Sequence, residues 1–297
     1  VGFFIFLIGS FVIGVAATIL QVVLNLYLTV CRIGKTTALQ RQMIGGTSNS
    51  IGMAIAPLVI SYLIFHGTPL HDIVTKQFII PLIILILIML IITILVGKTQ
   101  MPSIDNVRQV PGEKFDKSVW SFRNLKLGVW GIFFYVGIEV AVGANVNMYA
   151  SELGGSFASN ATHMAALYWG LLLLGRFLGS FIKQVPSEKQ LVIASIGAIV
   201  LLVLAMLMAN PWILTLIGFF HSIMWPAIFT LATDQLGKYT TKASGVLTMG
   251  VIGGGIIPLL QGIFADVMGG NWLWTWLLVI AGEAYILYYG LNGYKQH

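Results

Sequence analysis

Glu139 is an isolated carboxylate in the apolar run IFFYVGIEVAVGANVNMY, residues 132–149, with Asn145 and Asn147 a little further on. An acid in such a run either accepts a hydrogen bond from a ligand hydroxyl, carries a proton, or locks two helices as a buried group. Helical geometry separates Asn145 from Glu139 by about 240° and Asn147 by about 80°. At most one of them joins Glu139 unless the helix breaks near Gly143. Gln21 and Asn25 are i, i+4 and share a helix face. Amides offer both donors and an acceptor to a hydroxylated ligand, or they bond to a neighbouring helix. Trp225 offers an aromatic face for a ligand ring, or simply core packing, and His221 lies four residues before it. Gln261 follows Pro258 in a glycine-rich run, the build expected of a polar site beyond a kink. Glu283 lies 11 residues into the last apolar run, with packing, oligomer contact or a ligand-path role all open to it. The chemistry on offer is reversible hydrogen bonding, stacking and proton exchange, with no covalent step.

These residues need apolar elements to hold them. The chain has 297 residues, 58% hydrophobic and 9% charged; a soluble domain carries about 25% charge. The composition is that of a polytopic all-α membrane protein. Nine runs are long enough to span: 3–30, 43–65, 78–97, 125–150, 163–184, 190–209, 212–234, 243–266 and 272–291. Asn210-Pro211 predicts a tight hairpin between the sixth and seventh. Alternate connections hold the basic residues: Arg32, Lys35 and Arg41; then Lys98, Arg108, Lys114, Lys117, Arg123 and Lys126; then Lys183 and Lys189; then Lys238 and Lys242; then Lys295. The opposite connections hold Lys76 alone, and Arg176 lies inside a span. This asymmetry puts the C-terminus in the cytoplasm, and it accounts for the net charge of +6 without nucleic acid.

Residues 98–124 are the longest connection, with Pro102, Pro111 and mixed charge, and read as a cytoplasmic linker. They divide a partial N-terminal half of three spans, 1–97, from a six-helix half, 125–297. Val1 opens directly on an apolar run with no basic leader. Spacing therefore predicts that three further spans precede this segment in a six-plus-six protein.

Other chemistries are excluded. CRIGKTTAL is not a phosphate loop, because the motif needs glycine where Thr29 stands. The histidines, at 66, 71, 163, 221 and 297, form no i, i+4 pair within a span. No metal, cofactor or enzymatic site is expected. Cys31 stands alone and forms no internal disulfide. Asn160-Ala161-Thr162 is a formal glycosylation sequon on an outer connection.

Seven strings carry a family resemblance in order: ILQVVLNLYLTV (19–30), SNSIGMAIAP (48–57), FFYVGIEVAVG (133–143), LYWGLLLLGRFLGS (167–180), SIMWPAIFTLATDQLGKYT (222–240), GGGIIPLLQGIFAD (253–266) and YILYYGLNGYK (285–295). Together they resemble the fucose/galactose/glucose permease family of the major facilitator superfamily. The resemblance implies helices four to twelve of a twelve-helix, two-half transporter, truncated at its N-terminus. It implies a hexose substrate, alternating access, a coupling proton or sodium ion, and a bacterial inner membrane. It places Asn49 beside the polar pair of the first run. It makes Arg176, in GRFLG, part of a cytoplasmic gate, with Asp234 as its expected partner. Two departures stand out. Gln21 replaces the glutamate of strict fucose permeases, as in the glucose/galactose branch, and the usual proline beside Asn25 is absent. The rival readings are a non-sugar cargo, such as a drug or organic ion, and a non-transporting membrane sensor.

Overall fold

The computed structural model describes residues 2–31, 34–58, 79–100 and 115–296. The far end of the second run, the connection holding Lys76, and most of the linker, with Pro102, Arg108, Pro111 and Lys114, lie outside them. The described residues contain no strand. They form twelve α-helices: α1 Gly2–Val30, α2 Ala38–Leu58, α3 Ile79–Lys98, α4 Arg123–Leu153, α5 Gly155–Ser159, α6 Ala161–Gly179, α7 Ser187–Leu207, α8 Pro211–His221, α9 Met224–Thr233, α10 Thr240–Thr248, α11 Gly253–Val267 and α12 Trp276–Tyr288. Helices are the expected answer for apolar chain in lipid, where every backbone group must bond within its own segment.

Each of the nine expected runs is mainly helical where described, with non-helical residues that include 180–184, 208–209 and 222–223. Among the described residues six segments are long and apolar enough on their own to cross a membrane: Phe3–Val30, Ile79–Lys98, Arg123–Leu153, Ser187–Leu207, Pro211–Thr233 and Gly237–Val267. α6 carries His163 and Arg176, and α12 is only 13 residues between a 3₁₀ turn and a π turn.

The chain divides into two compact units, Val1–Thr47 with Ile104–His297, and Ser48–Ser103. In the smaller unit α3 buries none of its side chains. It is apolar on all sides, as suits a helix surrounded by lipid.

The larger unit has a true core. Trp276, Tyr135, Tyr149, Tyr168, Tyr289 and Phe229 are fully buried there. Each inward stripe follows helical spacing. In α6 it is Met164, Tyr168, Leu172 and Gly175; in α11 it is Gly253, Ile257, Gln261 and Ala265; in α12 it is Trp276, Val279, Glu283 and Ile286. Polar residues therefore sit on the same faces as the core residues and share their partners.

Two glycines set the spacing of these helices. A Cβ at Gly253 would collide with the backbone oxygen of Phe133, and one at Gly218 with that of Tyr168. The first draws α11 onto α4, and the second draws α8 onto α6. Close approach through small residues is the usual device of membrane helices. The hairpin at Asn210-Pro211 forms as its sequence suggests. Asn210 Oδ1 caps α8 by accepting from Trp212 N at 3.0 Å, with Pro211 at the first helical position.

The run 212–234 is broken where it reads as continuous. α8 ends at His221 and α9 starts at Met224. Pro226 has no N–H for the carbonyl four residues back, so the ladder fails one turn before it. His221 and Trp225 consequently do not act as an i, i+4 pair. The run 243–266 also breaks, at a 3₁₀ turn over Met249–Ile252. α4, by contrast, continues unbroken past Gly143. Gly143 is there for contact, since a Cβ would meet the rings of Trp169 and Tyr168.

Candidate functional site

Four helices of the larger unit bring ionisable side chains to one place. Arg176 of α6 donates to Glu139 Oε1 of α4 at 3.1 Å, with the two side chains 10% and 13% exposed. The same guanidinium nitrogen reaches Tyr135 Oη at 3.5 Å. Arg176 thus stays inside the bundle beside Gly46 of α2, whose Cβ would stand 3.2 Å from Arg176 Cδ. The carboxylate that meets it is Glu139, not the expected Asp234. Asp234 is exposed just past α9, and its backbone oxygen accepts from Asn124 and Gln296. The α4–α6 packing decides the choice, because it turns Glu139 and Arg176 toward each other.

A second set of groups continues behind this pair. Tyr168 Oη lies 3.1 Å from the Glu139 carbonyl oxygen and 2.7 Å from His221 Nδ1. His221 Nε2 lies 2.6 Å from Glu283 Oε1, and both side chains are wholly buried. The row therefore runs through α4, α6, α8 and α12. Gly218, one turn before His221, lets α8 come close enough for this contact with Tyr168.

Further along α4 is a neutral cluster. Asn145 Nδ2 donates to Gln261 Oε1 at 2.9 Å, and Gln261 Nε2 donates to Thr275 Oγ1 at 3.1 Å. Gln261 is fully buried and Asn145 is half-buried. Since α4 is continuous, Asn145 keeps its own face, about 9 Å along the axis from Glu139. Asn147 Oδ1 is buried and has no partner among the described residues.

The remaining candidates are more dispersed. Gln21 is half-buried on α1, and Asn25 is buried one turn later with its Nδ2 unpartnered among the described residues. The Asn25 carbonyl accepts from Gln42 of α2 at 2.9 Å. At the same level Ser244 of α10 donates to Val22 O at 3.2 Å. Asn49 is exposed on α2 and belongs to the smaller unit. Trp225 is half-buried and stacks on Phe229, with ring centres 6.1 Å apart. Sequence reasoning did not single out Tyr168, Tyr135 or Thr275, and it did not pair His221 with Glu283. One signal was present: His221 and Glu283 are lone ionisable groups deep in separate apolar runs, and such groups seek partners.

Buried ionisable and amide groups joined across helices can bind a hydroxylated ligand reversibly and exchange protons. Nothing in the row resembles a nucleophile held by a base for covalent chemistry.

Comparison with known proteins agrees with this architecture. The chain is 34% identical over 301 residues to the glucose/galactose transporter of Brucella abortus, covering 98% of this chain and 72% of that one. It is 26% identical over 292 residues to the L-fucose-proton symporter of Escherichia coli, covering 89% and 66%. Its fold matches the crystal structure of the transporter FucP in the outward conformation with a TM-score of 0.77, at 23% identity over 92% of this chain and 72% of that one. With the sequence model of the Major Facilitator Superfamily matching residues 1–251, the chain belongs to that superfamily of integral membrane transporters and is not an enzyme.

Proposed function

We propose that this transporter carries a hexose of the glucose, galactose or fucose type by alternating access, in symport with a proton. The observation that carries the reading is the Glu139–Arg176 ion pair at 3.1 Å inside the bundle. An ion pair in hydrocarbon is costly to maintain for packing alone, and such groups usually face a ligand path. Glu139 keeps part of its side chain exposed, so a hydroxyl can compete for its oxygens. Asn145 and Gln261 supply amides further along the same helix interface. Gln21, Asn25 and Asn49 are the matching candidates on the N-terminal side, and Trp225 is the stacking candidate. The names of the relatives supply the substrate class and the proton.

In this reading residues 98–124 link an N-terminal segment of three spans, 1–97, to the six-helix half, 125–297. The basic connections and the C-terminus face the cytoplasm of a bacterial inner membrane. Glu139, Arg176 and Asp234 are the gating and coupling candidates in this reading. The test is uptake of labelled glucose, galactose and fucose into proteoliposomes carrying the product of the complete reading frame, with an imposed proton gradient. Saturable, gradient-driven uptake of one of them is expected. Lack of saturable uptake of all three would sink the hexose reading.

A further inference from the structure

We propose that His221 and Glu283 form a proton-binding pair, and that Tyr168 links its occupancy to the backbone carbonyl of Glu139. The proposal rests on the proton-coupled reading above and adds where in this half of the molecule the proton is held.

Hydrogen-bond direction carries the argument. Tyr168 has one hydroxyl proton and two neighbours, the Glu139 carbonyl oxygen at 3.1 Å and His221 Nδ1 at 2.7 Å. In one of the two arrangements open to it the hydroxyl donates to the carbonyl, which can only accept. The contact with His221 is then made by Nδ1–H donating to Tyr168 Oη. With Nδ1 protonated, the 2.6 Å contact between His221 Nε2 and Glu283 Oε1 requires one more proton between them. That proton resides on Glu283 beside a neutral imidazole, or on Nε2 beside a carboxylate. Either way the pair holds one proton more than neutral histidine with ionised glutamate.

The surroundings favour the loaded state. Both side chains are fully buried, and Glu283 Oε2 has no partner among the described residues. A bare carboxylate with an unpartnered oxygen is strongly disfavoured in such a place. The titratable and charged groups facing the pair are few. Tyr135 of α4 and His221 form a T-shaped pair with ring centres 6.2 Å apart, Tyr168 comes from α6, and the Glu139–Arg176 pair lies beyond them. α7 has titratable groups only in its first turn, at Glu188 and Lys189; α9 has none; α11 has only Asp266, near its end.

Loss of the proton reverses the row. Starting from protonated Glu283, one proton leaves the pair in all. Glu283 is left as a carboxylate, and His221 is left neutral with its hydrogen on Nε2, donating to Glu283. Nδ1 becomes an acceptor, and the Tyr168 hydroxyl turns from the Glu139 carbonyl to His221. Proton release is thereby felt at the turn of α4 that carries the Arg176 partner.

The experiment uses the product of the complete reading frame in proteoliposomes. Proton movement is recorded on sugar addition, alongside gradient-driven accumulation and gradient-free sugar exchange. Absence of sugar-linked proton movement in the wild type would overturn the coupled reading itself, whatever the pair does. Where the wild type couples, Glu283→Gln and His221→Gln are expected to lose accumulation and proton movement while still exchanging sugar. Tyr168→Phe, which spares the pair but cuts its link, is expected to displace the pH profile of accumulation. Wild-type accumulation by Glu283→Gln would overturn the proposal. Loss of exchange in both glutamine variants would overturn it too, because the pair would then be a structural lock.

Discussion

Asn145 and Gln261 are 116 residues apart in the chain and meet through an amide–amide hydrogen bond of 2.9 Å. Gly253 makes the meeting possible, since its lack of a Cβ lets α11 lie against the α4 backbone two turns away. Because Gln261 also donates to Thr275, its buried amide bonds on both ends and is held in one orientation. A fixed amide is a better specificity element for hydroxyls than a free one, since less freedom is lost on binding.

The first prediction follows from that pair. Asn145→Ala and Gln261→Ala should each weaken sugar binding, by roughly 1–3 kcal/mol for a partner left unsatisfied. The double variant should lose less than the sum, because each single change already breaks the shared bond. Binding titrations on the four proteins measure the coupling, which in membrane bundles averages about 0.6 kcal/mol. Strict additivity would mean that the two amides act separately.

Arg176 gives the second prediction. Arg176→Leu removes a buried cation and strands Glu139, a change that costs about 3–5 kcal/mol when a buried pair is broken. Adding Glu139→Leu should recover much of the stability, as apolar replacement of buried pairs often does. Transport should stay lost in both. Thermal unfolding in detergent together with uptake separates the two effects. A double variant that transports would show that the ion pair serves packing alone.

These contacts show what the sequence made legible and what it did not. The helices, the Asn210-Pro211 hairpin and the inward faces follow from local patterns: apolar length, capping chemistry and a period of 3.6. The angle between Glu139 and Asn145 was legible too, because α4 runs unbroken between them. The partner of Arg176 was not. The family resemblance offered Asp234, and the packing of α6 on α4 supplied Glu139. His221 and Glu283 are 62 residues apart, in helices whose neighbours are a property of the bundle. Pro226 was visible, yet its consequence for pairing His221 with Trp225 appears only once the break at 222–223 is located.

A third prediction serves as a control away from the transport path. Asn210→Ala removes the α8 cap and should cost about 0.5–2 kcal/mol. Uptake per folded molecule should remain as in the wild type, since Asn210 lies in the hairpin between α7 and α8. A lower unfolding temperature with unchanged affinity is the expected result. A changed sugar affinity would mean that the hairpin is part of the moving gate.

The fourth prediction concerns Arg41, near the start of α2. Its Nε donates to Leu28 O, one terminal nitrogen to Thr29 O and the other to Thr36 O, each at 2.7 Å. Leu28 and Thr29 end α1, so their carbonyls have no intrahelical donor of their own. One planar guanidinium thus closes α1 and ties it to the chain entering α2. Lysine has a single ammonium centre and cannot span three carbonyls in this fork geometry. Arg41→Lys keeps the charge and should still lower stability, by about 1–3 kcal/mol for carbonyls left without donors. Arg41→Ala should lower it further. Unfolding curves in detergent rank the three proteins. Equal stability of the lysine variant and the wild type would show that the charge of Arg41 matters and its fork does not.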